Sequence, residues 1–293
     1  MRIALVHNPI AGRGKAQAIA VDLESRLSQA GFEVRSIASA RGDPADWLVP
    51  GLDGVDRLIA IGGDGAVRAV AGACAARDIA IWHAPTGTEN LFARAFGMSV
   101  DAEAIVRALR LGETRAIDLG DACGSPFAIM ASVGFDAEVV HRLASERRGA
   151  ITHLSYLAPV LKASSSWRAT ELAWRIDDEW ERLGRGMIVI ANLSHYGVGL
   201  NPAPDALPDD GLLDAVFIPA ERAVDLLPLV PLLRFGVHRR LPSLRFRRGR
   251  TVRIDASEPV RLQVDGDAVG VSSRSFGFRI AAEPLRIMVP ARG

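Results

Sequence analysis

Leu58-Ile59-Ala60-Ile61-Gly62-Gly63-Asp64-Gly65-Ala66 runs from four apolar residues into glycines around one aspartate, then into a segment, Ala66 to Ala76, that is helical by composition. A short apolar run closed by glycines reads as a buried strand and a tight turn. The same order recurs on both sides. Upstream, Ile3 to Val6 leads into Asn8-Pro9-Ile10-Ala11-Gly12-Arg13-Gly14-Lys15. Ala16, Ala20, Leu23, Leu27 and Ala30 then repeat at helical spacing, and Gly31 is placed to end that helix. Phe32 to Ile37 reads as a further strand. Downstream, Ile79 to His83 is a strand leading into Pro85-Thr86-Gly87-Thr88-Glu89-Asn90. Strand and helix in alternation imply a parallel sheet covered on both faces.

After Arg115 the pattern changes. Short strands are expected at Phe127 to Val133, Leu172 to Ile176, Met187 to Asn192, Leu213 to Ile218, Val252 to Ile254, Val260 to Val264 and Phe276 to Ile280. Turn residues between them favour an antiparallel sandwich or barrel. Two helical segments interrupt the series, Ala137 to Ser164 and Ala220 to Phe235. The expected fold is therefore an α/β N-terminal domain with a parallel sheet, residues 1–118, joined to a β-sandwich-like C-terminal domain, residues 119–283. No internal repeat or low-complexity tract is visible.

A chain of 293 residues has room for two domains. Its formal net charge of +1 gives no global reason to expect nucleic acid as a partner. Nearly all the positive charge is arginine, only Lys15 and Lys162 being lysines. Cys74 and Cys123 stand far apart, which excludes a disulfide framework or a cysteine-rich zinc site and fits a reducing cytosol. The N-terminal apolar run is too short for a signal peptide. The most apolar later stretch, Val224 to Val237, is broken by Asp225, Pro228, Pro231 and Arg234 and is too short to span a bilayer. The expected location is cytoplasmic, with at most peripheral contact at the inner membrane face.

In an open α/β sheet, ligands bind beyond the carboxyl ends of the strands. Glycines there let backbone N–H groups approach a phosphate, and a helix N-terminus favours its charge. Neither common nucleotide fingerprint fits. Lys15 is followed by Ala16, not Ser or Thr, and a dinucleotide pattern begun at Gly63 meets Arg68 where a small residue is needed. One such loop alone would read as an ordinary turn; three on consecutive units of one sheet point to a ligand.

Asn8-Pro9 with Ala11-Gly12, then Gly62-Gly63-Asp64-Gly65, then Pro85, Gly87-Thr88 and Asn90 before Phe92-Ala93-Arg94 resemble the ordered signature of the diacylglycerol kinase catalytic-domain family. The resemblance continues through Asn201-Pro202-Ala203-Pro204, Asp209-Asp210-Gly211-Leu212-Leu213-Asp214 and Val264-Asp265-Gly266-Asp267. It implies a two-domain fold shared with NAD kinases, a cleft between the domains, and a chain end (about 284–293, through Leu285 to Val289) that returns to the first domain. It also implies an ATP-dependent lipid kinase of phospholipid metabolism that acts on a diacylglycerol-like hydroxyl with Mg²⁺.

By the same resemblance, Asn8, Pro9, Gly12, Arg13, Gly62, Gly63, Gly65, Ala66, Gly87, Thr88 and Asn90 line the nucleotide site. Asp265 matches the family's base position, with Asp267 where the partner carboxylate is usually Glu. Asp64 is a second candidate for contact with Mg²⁺ or the acceptor. Asp210 matches a structural magnesium position completed by the carbonyls of Leu207 and Leu212, although an Asp-Asp-Gly turn needs no metal. Asp265-Gly266 between apolar runs is equally a hairpin signal, and a turn can present its Asp to a ligand.

Three departures from the pattern bear on activity. Ala66 stands where the family usually has Thr, and Arg68 and Ala69 replace an Asn-Glu pair; Ala38 replaces another Thr. A lost hydrogen bond that strengthens in the transition state costs on the order of 2–4 kcal/mol. Two classes therefore stay open, a working lipid kinase and a relative that binds lipid or nucleotide without turnover, with an NAD kinase as a third. Arginines 234, 239, 240, 245, 247, 248, 250 and 253 read either as attraction to an anionic membrane or as a solvated strand face and loop. Leu143, Ile151, Leu154, Tyr156, Leu157 and Leu161 border either an acyl-chain pocket or the core. Exposed sheet edges leave pairing into a homodimer open.

Overall fold

The structure, a computed structural model, describes residues 1–10, 14–40, 42–146 and 164–291. The chain divides into two compact units, Met1–Ile117 with Ala282–Gly293, and Asp118–Ala281.

In the first unit β1 (Arg2–His7) buries five residues in succession, Ile3 to His7. That is the signature of a strand covered on both faces. Helix α1 (Lys15–Gln29) buries Ala16, Ala20, Leu23 and Leu27, the stripe its spacing predicts. β2 (Glu33–Ala38) lies at the sheet edge and buries only Ile37. The short α2 (Pro44–Trp47) is capped by Asp43 and leads to β3 (Arg57–Gly62) and α3 (Asp64–Ala75). β4 (Ala80–Pro85), α4 (Leu91–Phe96), α5 (Ala102–Leu111) and β5 (Thr114–Ile117) follow. β1, β2, β3 and β4 are parallel to their neighbours, so their carboxyl ends share one edge. The chain's last strand, Leu285–Met288, enters between β4 and β5, parallel to the first and antiparallel to the second.

The second unit holds β6 (Gly120–Ala122), β7 (Ser125–Phe127), β8 (Met130–Val133), α6 (Phe135–Glu146), β9 (Thr170–Ile176), β10 (Glu179–Ala191) and β11 (Leu213–Pro219). Then come α7 (Leu229–Arg234), β12 (Arg245–Gly249), β13 (Thr251–Val264) and β14 (Asp267–Ile280), which makes the last strand β15. All pairings here are antiparallel. β10 and β13 each pair with both β8 and β9, so these four strands close a ring. Both long strands change partner along their length, and each carries a register shift, β10 between Arg182 and Gly184 and β13 between Asp255 and Leu262. Such shifts bend a strand from one layer to the next. Trp174, Phe127, Ile188, Ile190, Ile254 and Phe278 fill the space inside.

Several elements differ from the sequence expectation. Phe127 to Val133 is not one strand, because the N–H groups of Ala128, Ile129 and Met130 turn to the Asp265 carboxylate. Val252 to Ile254 and Val260 to Val264 are one strand, carried through Pro259 by the irregular register. Ala220 to Phe235 is not a continuous helix; Pro228 and Pro231 limit it to a 3₁₀ turn, Ala223–Leu226, and α7. Of the helix expected over Ala137 to Ser164, α6 covers the start, and residues 147–163, with Ile151, Leu154, Tyr156, Leu157 and Leu161, lie outside the described residues.

Candidate functional site

Three loops leave the shared carboxyl edge of β1, β3 and β4. In the first, Asn8 accepts the Ile10 N–H through its side chain at 3.1 Å, an Asx turn that directs the chain away from β1. Pro9 sits within that turn; Gly12 and Arg13 lie outside the described residues. α1 then starts at Gly14, whose φ of 88° suits a residue without Cβ, and it starts with no side-chain cap and no acidic residue in its first turn.

The second and third loops are bound to each other. A Cβ on Gly87 would lie 2.6 Å from Gly63 Cα, so these backbones touch in a way only glycine allows at that position. Thr86 N–H donates to Gly62 O at 2.7 Å. Asn90, at φ 50°, closes the third loop on itself: its side chain accepts from Gly87 N and donates to Gly87 O, both at 2.9 Å. Gly65, Gly87 and Thr88 are exposed, while Ala66 is half-buried, and its Cβ occupies the space a Cβ on Gly62 would need.

Asp64 does more than decorate this edge. Its two oxygens accept the N–H groups of Leu91 and Phe92 at 3.0 and 2.9 Å, capping α4 from another element. Its carboxylate is thereby placed as a clamp between the second loop and the helix after the third. α3 itself has Gly63 as N-cap and no side-chain cap. α2 and α5 differ: Asp43 and Asp101 cap them. The two long helices that begin at the carboxyl edge, α1 and α3, are those whose leading N–H groups receive no side chain, as an anion site requires.

His83, unremarked in the sequence because a lone histidine in an apolar strand looks like core, supports this edge from below. It is fully buried, and its Nε2 lies 3.0 Å from Gly62 O. A carbonyl only accepts, so Nε2 carries a proton, and burial of the ring disfavours the second proton that would make it an imidazolium. Burial lowers its basicity, against the opposing pull of Gly62 O and Asp64. His7, at the end of β1, is likewise lowered by burial.

In the second unit, Asp265 and Gly266 form the two-residue turn between β13 and β14, both left-handed at φ 47° and 82°, with Val264 paired to Asp267. This is the hairpin expected from Asp-Gly. The Asp265 carboxylate accepts three backbone N–H groups: Oδ2 from Ala128 at 2.9 Å, and Oδ1 from Ile129 at 3.0 Å and Met130 at 2.8 Å. Asp267 is half-buried at the first position of β14.

Behind the turn lies a polar network that the sequence did not reveal. Gly266 N–H donates to Gln263 Oε1 at 2.9 Å, and Gln263 Nε2 donates to Ser132 Oγ at 2.8 Å. Ser132 Oγ and Tyr196 OH donate to the same oxygen of Asp136, at 2.5 and 2.8 Å. Burial pushes the Asp136 carboxyl up, against these donors. Three separated stretches supply the members, the junction of β8 and α6 (Ser132, Asp136), a loop (Tyr196) and β13 (Gln263), so the local spacing of Ser132 and Asp136 does not announce the whole. The one available signal is Gln263, a lone amide inside the apolar run Val260 to Val264.

Asp210 falls elsewhere. It is ion-paired with Arg248 and accepts the Leu212 N–H at 3.0 Å. Arg248 also bonds Asp214, at 3.2 Å, whose carboxyl is pushed up by burial and pulled back by that guanidinium. Leu207 is exposed. Arg248 is the partner that the structure shows for the Asp210 carboxylate.

A family model described as the diacylglycerol kinase catalytic domain matches residues 2–122, and one described as the YegS C-terminal NAD kinase beta sandwich-like domain matches residues 129–289. Among curated relatives, a Pseudomonas aeruginosa protein named probable lipid kinase YegS-like is 31% identical over 81% of this chain and 78% of its own. The diacylglycerol kinase of Bacillus subtilis is 25% identical over 94% and 92%. Among solved structures, a diacylglycerol kinase from Bacillus anthracis superposes with a TM-score of 0.69 at 14% identity, covering 99% of this chain and 97% of its own. An NAD kinase from Archaeoglobus fulgidus in complex with ATP gives 0.57 at 14%, covering 99% and 94%. The last two speak to fold alone.

Proposed function

This chain belongs to the bacterial diacylglycerol kinase and YegS-like lipid kinase family, and from that premise we propose that it transfers the γ-phosphoryl group of ATP to the hydroxyl of a membrane lipid of diacylglycerol type. The observation that carries the reading is the carboxyl edge of the first unit, where two long helices begin without side-chain caps beside the Gly63–Gly87 contact. Backbone N–H groups there suit phosphate oxygens. Asn8, Pro9, Gly62, Gly63, Gly65, Ala66, Gly87, Thr88 and Asn90 form the proposed nucleotide site, with Gly12 and Arg13 assigned by the motif. Asp64 holds two of the loops in register, and His83 fixes Gly62.

Phosphoryl transfer asks little covalent chemistry of a protein and much positioning. The lipid oxygen forms a bond to the γ-phosphorus as the bond from that phosphorus to the β–γ bridging oxygen breaks, and ADP leaves. Mg²⁺ enters with ATP as part of the substrate. Asp265 accepts the hydroxyl proton, with Asp267 as its neighbouring carboxylate. The rigid three-donor hold on Asp265 keeps that group in one position, as an effective base requires.

A second reading, nucleotide or lipid binding without turnover, is favoured by Ala66, whose methyl packs on Gly62 and offers phosphate no hydroxyl. The deciding experiment is transfer of label from γ-labelled ATP with Mg²⁺ into a panel of diacylglycerol, phosphatidylglycerol, sphingoid and polyprenol acceptors in mixed micelles. Labelled lipid from the parent and none from Asp265→Asn supports the kinase. ATP binding without transfer to any acceptor refutes it in favour of the second reading.

A further inference from the structure

Large exposed apolar side chains are concentrated in one place. Five of the thirteen among the described residues lie between positions 224 and 237: Val224, Leu227, Val230, Phe235 and Val237, with Phe235 78% and Leu227 64% exposed. Pro228, Pro231 and Gly236 divide this segment into three short turns, Ala223–Leu226, α7 and Val237–Arg240. Ala223, Leu233 and His238 anchor it by burial.

A neighbouring loop is stapled alongside. Arg234 donates to Gly199 O at 2.8 Å, His238 Nε2 lies 3.0 Å from Pro202 O, Asn201 N–H donates to Leu233 O, and Arg239 pairs with Asp205. These contacts hold Val198, itself 68% exposed, beside α7. Val198 adopts φ 56°, a left-handed conformation that is costly for a β-branched residue.

Charge accompanies the apolar surface. Residues 226–254 contain eight arginines and no Asp or Glu. Five are balanced by acids from elsewhere in the unit or from just beyond the stretch: Arg239 by Asp205, Arg245 and Arg247 by Glu181, Arg248 by Asp210 and Asp214, and Arg253 by Asp255. Arg234 donates to a neutral carbonyl and keeps its charge unbalanced, and Arg240, exposed at the end of the third turn, has no acidic partner among the described residues. Net positive charge thus sits within the patch itself.

We propose that this segment docks the second unit on the surface of an anionic phospholipid bilayer. Val198, Leu227, Val230, Phe235 and Val237 enter the headgroup boundary, and Arg234 and Arg240 meet lipid phosphates. Exposed apolar side chains rimmed by arginine are the chemistry of an interfacial anchor. A soluble polyanion would leave the apolar surface unused, and an apolar protein partner would leave the unbalanced arginines unused. The inference rests on and deepens the lipid-kinase reading by naming the surface that meets the bilayer; vesicle binding is measured without turnover, so each can fail alone.

The test is co-sedimentation of the full chain with vesicles of phosphatidylcholine alone and of phosphatidylcholine mixed with phosphatidylglycerol. The parent is expected to bind the mixed vesicles preferentially, and Leu227→Glu with Phe235→Glu to bind them at least about tenfold more weakly, from the lost burial of two large side chains. Arg240→Glu is expected to erase the preference for anionic vesicles. As a readout independent of those variants, a polarity-sensitive dye on Phe235→Cys should shift to the blue with mixed vesicles. Equal binding by the parent and a natively folded double variant, or no dye shift, overturns the proposal. So does conversion of a solution dimer to monomer by the double variant with vesicle binding unchanged, which would make the patch a contact between copies.

Discussion

Replacing Asp265 separates two roles that one side chain performs. In Asp265→Ala, the N–H groups of Ala128, Ile129 and Met130 lose their acceptor at once. A hydrogen bond to a charged group is worth about 1.5–3 kcal/mol, and water reaching this half-buried turn recovers part of that. Taking roughly 1–1.5 kcal/mol for each donor gives about 3–4.5 kcal/mol. Alanine at φ 47° adds about 1 kcal/mol more. Asp265→Asn tolerates the left-handed turn and keeps the Oδ1 bonds to Ile129 and Met130, but turns an amide N–H₂ toward Ala128 N–H. Its cost is about 1–2 kcal/mol. Urea unfolding followed by tryptophan fluorescence should therefore place alanine far below asparagine, and asparagine modestly below the parent. An alanine variant as stable as the parent would refute the clamp. Against a domain stability of about 5–15 kcal/mol, only the asparagine variant is a fair test of chemistry. There the expected loss in lipid phosphorylation is about 10²–10⁴ with folding intact. Near-parental turnover would remove Asp265 from the proposed mechanism.

Other perturbations follow from the same geometry. His83 has a lowered folded-state pKa, so its contribution is present above the unfolded value of about 6.5 and lost as pH falls toward the folded one. His83→Gln retains a donor for Gly62 O and should flatten that acid-side loss in pH-dependent denaturation, a parallel pH profile counting against the neutral-ring assignment. Asp136 has a raised folded value, so the parent loses stability as pH rises from about 3.9 through that value. Asp136→Asn should gain relative to the parent over the same window, and a constant difference across pH would contradict a buried carboxyl. Gly87→Ala places Cβ 2.6 Å from Gly63 Cα, whereas Gly63→Ala places it 3.3 Å from Gly87 Cα. Gly87→Ala is thus expected to cost about 1–3 kcal/mol and more ATP affinity than Gly63→Ala, by calorimetric titration and thermal unfolding; the opposite order would refute the contact argument.

What the sequence disclosed, and what it hid, follows from how far each interaction reaches along the chain. β1, β3, β4 and α1 were legible because burial on both faces, or on one helical stripe, is written in adjacent residues. The Asp265-Gly266 hairpin was legible for the same reason. The strand reading of Phe127 to Val133 failed because a carboxylate more than a hundred residues away takes its N–H groups. The N-terminal half of β10, Glu179 to Gly186, was missed because it is largely polar and only partly buried. Of the site, glycine loops announced themselves, whereas Asp64's hold on α4, His83's on Gly62 and the Ser132–Asp136–Tyr196–Gln263 network exist only once the chain is folded. The pairing of Asp210 with Arg248, on β12, was hidden for the same reason.

The position of β15 sets the order in which the protein can be completed. A ribosome delivers β4 and β5 more than 160 residues before Leu285–Met288, the strand that lies between them. Throughout that interval β4 has an open, apolar flank, and β5 has no strand to join. The all-antiparallel unit, an uninterrupted insert, can condense while its host waits. Emergence of Leu285–Met288, not of the first 117 residues, is therefore the event that seals the parallel sheet. A nascent chain stalled before position 285 would carry its glycine loops on an unfinished support.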